Sequence, residues 1–79
     1  MASGLEGILK EPTLQEKLDK ERTELADKIE RLKIFMTNSP SFRKLNYRHR
    51  DLLEQQLRSM SAYESILVER LTLLNQNED

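Results

Sequence analysis

Large apolar side chains recur at helical spacing along most of this chain. Between residues 14 and 36 they follow one another at steps of four, seven, four, three and four, as Leu14, Leu18, Leu25, Ile29, Leu32 and Met36. This spacing aligns side chains along one face of an α-helix. The pattern therefore predicts a long amphipathic helix whose apolar face must pack against another element.

A second long segment carries two adjacent apolar rows. The first row is Leu53, Leu57, Met60, Glu64, Leu67, Leu71 and Leu74, and the second row is Leu52, Gln56, Ser59, Tyr63, Ile66, Arg70 and Leu73. One partner helix covers only one row, and each large apolar side chain left in water forgoes about 1.5–3 kcal/mol. We therefore expect other copies of the chain to cover the second row. A monomeric hairpin with an exposed apolar flank is the alternative.

Capping residues and prolines mark the ends of the helices. Thr13 and Glu16 form the T-x-x-E pattern of a capping box. The long helix that they open should end at Asn-Ser-Pro, because the residue before a proline avoids the α region and Asn38 accepts a left-handed cap. Asn46 is a suitable N-cap for the next long helix. We predict a single domain, residues 1–79. It consists of a short helix over residues 1–11, a long helix over 13–38, a single turn over 40–45, a second long helix over 46–75 and a polar tail over 76–79.

These elements predict an all-α fold. Two long helices joined by a tight connection fold back on each other as an antiparallel hairpin. We therefore expect a short N-terminal helix followed by a long antiparallel helical hairpin. The hairpins should assemble as a homo-oligomeric helical bundle. Ala, Glu, Lys, Leu and Arg supply 40 of the 79 residues, which is typical of long helices. No uncharged stretch approaches the roughly 20 apolar residues of a membrane span. We expect a soluble protein with no membrane partner.

The sequence offers little for catalysis. The chain has no Cys, which excludes a thiol nucleophile, and its single histidine, His49, lies between two arginines. Carboxylate pairs such as Glu21 and Glu24 alternate with Lys and Arg, which favours a salt-bridged outer face over a metal site. No Gly-rich phosphate loop is present. We predict that the protein is not an enzyme and has no catalytic residue, metal site or cofactor.

Binding is better supported, because the second row mixes apolar and polar residues. Arg70 would be costly to bury unless an anion meets it, and arginine binds phosphate or carboxylate in bidentate fashion. The alternative is that Tyr63 is an ordinary interface aromatic and that Arg70 pairs with a Glu of a neighbouring subunit. Binding of DNA or RNA through the basic residues Arg43, Lys44, Arg48 and Arg50 is disfavoured by the net charge of −1.

Two motifs connect the chain to a known family. Residues 30–35 read E-R-L-x-x-F, followed by a short Pro/Phe connection, and the next helix matches Q-x-x-x-M-x-x-Y-x-x-I-L-x-x-R-[IL] through Gln56, Met60, Tyr63, Ile66, Leu67, Arg70 and Leu71. Over about residues 14–74 the chain resembles the phage anti-CBASS sponges. These small helical proteins sequester the cyclic oligonucleotide messengers of a bacterial immune system and keep its effectors inactive.

The resemblance implies a homohexamer that binds cyclic di- or trinucleotides without cleaving them, in the cytoplasm of the infected bacterial host. Arg31, Tyr63 and Arg70 match residues of the family pattern, and Lys28 lies one turn before Arg31. The ligand-binding residues implied in this way are Lys28, Arg31, Thr37, Phe42, Arg58, Ser59, Tyr63 and Arg70. The family's dinucleotide pocket is implied to use an aromatic residue near the N-terminus, and this chain has none before Phe35. The alternative function is a structural or adaptor hairpin that acts through self-association or a protein partner.

Overall fold

The structure is a computed structural model that describes residues 12–76. It contains helices α1 (Leu14–Asn38), α2 (Pro40–Lys44) and α3 (Tyr47–Gln76), and no strand occurs within the described range. The predicted all-α fold and helical hairpin are confirmed. The expected short helix over residues 1–11 lies outside the described residues, as do residues 77–79 of the expected tail. No helix between residues 12 and 76 has an apolar stretch long enough to cross a membrane.

A complete capping box starts α1. The Thr13 N–H donates to Glu16 Oε1 at 2.8 Å, and the Glu16 N–H donates to Thr13 Oγ1 at 3.1 Å. Two amide groups that the helix leaves without partners are thereby satisfied at its N-terminus. The T-x-x-E pattern therefore marks the true start of the helix.

The end of α1 differs in one respect from the sequence prediction. Asn38 remains helical and Ser39 is extended, with φ −88° and ψ 126°. No residue from 12 to 76 has a positive φ, so the expected left-handed cap at Asn38 is wrong. Pro40 supplies the reason, because its ring pushes the preceding residue into the extended region and ends the helix without a left-handed residue.

The connection between the long helices is held by short-range contacts. Ser39 Oγ accepts a hydrogen bond from the Ser41 N–H at 3.2 Å, with Pro40 at the first position of α2. The ring of Phe42 packs edge-to-face on that of Phe35, with a centroid separation of 5.8 Å and an interplanar angle of 83°. These contacts attach α2 to the end of α1.

Asn46 then caps α3, as the sequence predicts. Its Oδ1 accepts a hydrogen bond from the His49 N–H at 2.8 Å. The chain therefore reverses direction within the residues between Asn38 and Tyr47, and α3 returns along α1.

The core is one apolar seam between α1 and α3. The buried side chains of the described residues are Leu18, Leu25 and Ile29 from α1 and Leu67 and Leu71 from α3, with Leu57, Met60 and Leu74 packed against them. The first row of α3 therefore faces α1. All seven residues of the second row are exposed.

Leu67 is the most enclosed side chain of the seam, at 0% exposed. We expect Leu67→Ala to lower the free energy of unfolding by about 3–5 kcal/mol, since the change removes buried methyl groups and leaves a cavity. The matched control is Ile34→Ala, at a position that is 49% exposed on α1. It should change stability by less than about 0.5 kcal/mol. Urea unfolding followed by circular dichroism at one protein concentration measures both, and equal losses would contradict this assignment of the core.

Candidate ligand-binding surface

The second row forms a continuous exposed strip along α3. Its large side chains Leu52, Tyr63, Ile66 and Leu73 are 45%, 41%, 54% and 54% exposed. Contiguous exposed apolar side chains of this kind mark binding surfaces more often than free surface. Tyr63 and Arg70 lie in the strip two helical turns apart, roughly 10 Å along the axis.

Helical geometry decides which residues of α1 border this strip. A cleft lined by Arg22, Glu64, Ser65 and Val68 identifies one flank of the hairpin, which we call the Arg22 flank. At about 100° per residue, Lys28 and Arg31 lie on the other side of the apolar face of α1 from Arg22. Tyr63 and Arg70 likewise lie on the other side of the first row from Val68. The cations of α1 and the strip of α3 therefore share the opposite flank, which we call the Tyr63 flank.

The cations of the Tyr63 flank are available to a ligand. Arg31 Nε is 3.0 Å from Asp27 Oδ2, and the two side chains are 79% and 58% exposed. An exposed pair one helical turn apart contributes only about 0.3–0.5 kcal/mol, so Arg31 can exchange Asp27 for another anion at little cost. Within residues 12–76, Lys28 and Arg70 form no ion pair. Three positive side chains thus stand on one flank with weak or no intramolecular partners.

Ser59 also lies in the second row, one turn before Tyr63, and is exposed. Lys28, Arg31, Ser59, Tyr63 and Arg70 are therefore on the same flank of the hairpin. The structure thus places five of the eight predicted ligand-binding residues on one flank.

The other three predicted residues lie elsewhere. Thr37 faces away from the Tyr63 flank at the end of α1, and its hydroxyl donates to the Lys33 carbonyl at 2.9 Å. The helical repeat turns Arg58 to the side of α3 that faces away from the second row. Phe42 packs on Phe35 in the connection. Within one chain, Thr37, Phe42 and Arg58 do not join the residues around Tyr63, and their role in binding stays a prediction.

A second cleft lies at the hairpin end. It has a volume of about 340 Å³ and is lined by Phe42, Tyr47, Arg50, Asp51 and Glu54. No motif predicts it, although Tyr47, Arg50 and Glu54 recur at spacings of three and four residues, which places them on one face of α3. The sequence does not predict that α2 lies against that face.

Between residues 12 and 76, no group of three or more His, Asp or Glu side chains is arranged to hold a metal ion. The charged and aromatic side chains of the two surfaces are suited instead to organic anions and bases.

Fold and surface together define a small helical-hairpin protein with an exposed, largely apolar strip along α3. Comparison with family models makes the assignment specific: the Sequestin model matches residues 12–73, and the chain belongs to the Sequestin family. The family name denotes the sequestering of a ligand and fits the cyclic-oligonucleotide sponges that the sequence resembles, so the resemblance is confirmed. No curated protein and no solved structure matches the chain.

The exposed strip should drive self-association. We expect the protein to run as an assembly of several chains, and Ile66→Glu to shift it toward the mass of one chain, because a carboxylate would be buried in the contact. Val68→Glu is the matched control, since Val68 is 41% exposed on the Arg22 flank. Size-exclusion chromatography with light scattering measures both variants. A monomeric wild type, or equal effects of the two changes, would argue against this contact.

Proposed function

We propose that the protein binds cyclic di- or trinucleotide second messengers and sequesters them without cleaving them. In the cytoplasm of an infected bacterial host, this would keep CBASS effectors from being activated. The observation that carries the proposal is membership of the Sequestin family over residues 12–73, a range that includes α1, all but the end of α3 and the whole second row.

The chemistry of the Tyr63 flank suits a nucleotide. Arg70 and Arg31 can each hold a phosphate through paired N–H groups, and Lys28 adds a third positive charge. The half-exposed ring of Tyr63 offers a face on which a base can stack, which is worth about 1–3 kcal/mol per base. Because Tyr63 stands between the cations of α1 and Arg70, one ligand can meet both kinds of group.

Symmetry extends the argument to the whole assembly. A cyclic dinucleotide repeats its phosphate and base about a near two-fold axis, and a cyclic trinucleotide does so about a three-fold axis. A homohexamer with dihedral symmetry offers both kinds of axis, so identical strips from neighbouring chains can meet one ligand. Thr37, Phe42 and Arg58, which lie away from Tyr63 in one chain, would contribute from a neighbour.

Sequestration requires tight binding and no turnover. A site built from side chains on rigid helices loses little entropy when the ligand binds, which favours high affinity. Each captured messenger would be kept from the effectors for as long as the complex lasts. We therefore propose no cofactor, no DNA or RNA partner and no catalytic residue.

Titration calorimetry of the full chain with a panel of cyclic di- and trinucleotides tests the proposal. We expect at least one member to bind, and Arg70→Ala to weaken that binding by about tenfold or more through loss of a charge-assisted contact. The matched control is Arg22→Ala, which removes the same charge from the opposite flank and should change affinity by less than about twofold. Ligand released by heat and examined by chromatography should be intact.

The absence of both heat and thermal stabilisation with every member of the panel would refute the proposal. It would favour the alternative, a structural or adaptor hairpin whose exposed side chains Leu52, Ile66 and Leu73 contact other chains. In that case Arg70→Ala should alter the stability of the assembly and no small-molecule affinity. Recovery of a linear product would instead show that the protein cleaves its ligand.

A further inference from the structure

The cleft at the hairpin end combines three kinds of side chain. Phe42 and Tyr47 are aromatic, Arg50 is positive, and Asp51 and Glu54 are carboxylates. The cleft lies where α2 meets the first turns of α3, away from Tyr63 and Arg70. Its volume of about 340 Å³ is at the lower end of the range of small-molecule sites.

The two carboxylates differ in whether their oxygens already have hydrogen-bond or ion-pair partners. Asp51 Oδ2 accepts from Gln55 Nε2 at 2.9 Å and is 3.5 Å from an Arg48 guanidinium nitrogen. Glu54 is exposed and, among residues 12–76, has no hydrogen-bond or ion-pair partner. A carboxylate only accepts hydrogen bonds, so Glu54 presents two free acceptor oxygens to the cleft.

Arg50 offers hydrogen-bond donors that lack acceptors. Its side chain is half-buried, and its guanidinium, including the solvent-shielded Nε, has no hydrogen-bond or ion-pair partner in the described range. A partly desolvated guanidinium is stabilised when acceptors meet its N–H groups. Arg50 and Glu54 are one helical turn apart on the same face and are not paired with each other. The cleft therefore presents donors beside acceptors at a spacing of one turn.

We infer that this cleft is a base-recognition site selective for guanine, an inference that rests on the proposed function. Guanine carries two adjacent donors, N1–H and N2–H, that match the free oxygens of Glu54. Beside them lie two acceptors, O6 and N7, which are the usual partners of an arginine and match Arg50. The ring of Tyr47, 78% exposed at the rim of the cleft, is the stacking surface.

Other bases fit this arrangement less well. Adenine offers one donor, N6–H, flanked by the acceptors N1 and N7, so one oxygen of Glu54 would face a lone pair. Uracil has a single N–H between two carbonyl oxygens, which a carboxylate repels. A base that leaves a buried or half-buried polar group without a partner binds more weakly. This penalty gives hydrogen-bonding sites their selectivity.

Calorimetric titration with 3′,3′-cyclic di-GMP and 3′,3′-cyclic di-AMP provides the test. Wild-type protein should prefer cyclic di-GMP by about tenfold or more, as expected of bidentate base contacts. Glu54→Gln should abolish or reverse that preference, because the amide places a donor against the guanine donors, whereas it can accept from adenine N6–H and donate to the neighbouring ring nitrogen, which should strengthen binding of cyclic di-AMP. Asp51→Asn is the matched control: it removes a carboxylate from the same cleft that is already engaged by Gln55 and should keep the preference.

The outcomes separate this inference from the proposed function. If wild-type protein binds neither ligand nor any other cyclic nucleotide, the proposed function fails and the inference fails with it. If wild-type protein binds cyclic nucleotides without preferring guanine, or if Glu54→Gln and Asp51→Asn have equal effects, the guanine site is wrong and sequestration stands. Circular dichroism and light scattering on each variant establish that fold and assembly are unchanged, and an altered assembly in Glu54→Gln would overturn the inference in favour of a subunit contact.

Discussion

The apolar contact between α1 and the first row of α3 is the interaction on which the rest of the molecule depends. Among the described residues its buried members are few and all aliphatic, from Leu18 to Leu71. A domain of this size is near the lower limit of independent stability. The same contact sets the rotation of α3 about its axis, so that covering the first row leaves the second row exposed. The core and the exposed strip are thus two consequences of the same helix packing.

Charge contributes little to the stability of this arrangement. The two ion pairs within residues 12–76 are both exposed, and such pairs stabilise little. Lys28, Arg70 and Glu54 are left without charged partners there, and Arg31 has a weakly held one. The hairpin separates these groups into the Tyr63 flank, suited to phosphates, and the cleft near Tyr47, suited to a base edge.

Local signals in the sequence were sufficient wherever a structure depends on neighbouring residues. The capping box at Thr13, the N-cap at Asn46 and the proline after Ser39 each act within one helical turn, and each marks a helix end in the structure. The left-handed cap expected at Asn38 is the exception. Asn38 and Pro40 both signal the end of the same helix, and Pro40 alone is enough to end it. The two rows of α3 could also be recognised, since helical periodicity relates residues of one helix to a single axis.

The sequence by itself determined the family, the helices and the two apolar rows, because each of these depends on residue types at short, regular spacing. Only the tertiary structure decided which polar residues share a flank. It placed Lys28 and Arg31 beside the strip of Tyr63, placed Thr37 on the other flank, and brought Phe42 to the cleft of Arg50 and Glu54. Helical periodicity gives the direction of a side chain only relative to the axis of its own helix. How the two helices pack together depends on burying the apolar seam, whose residues are far apart in the sequence.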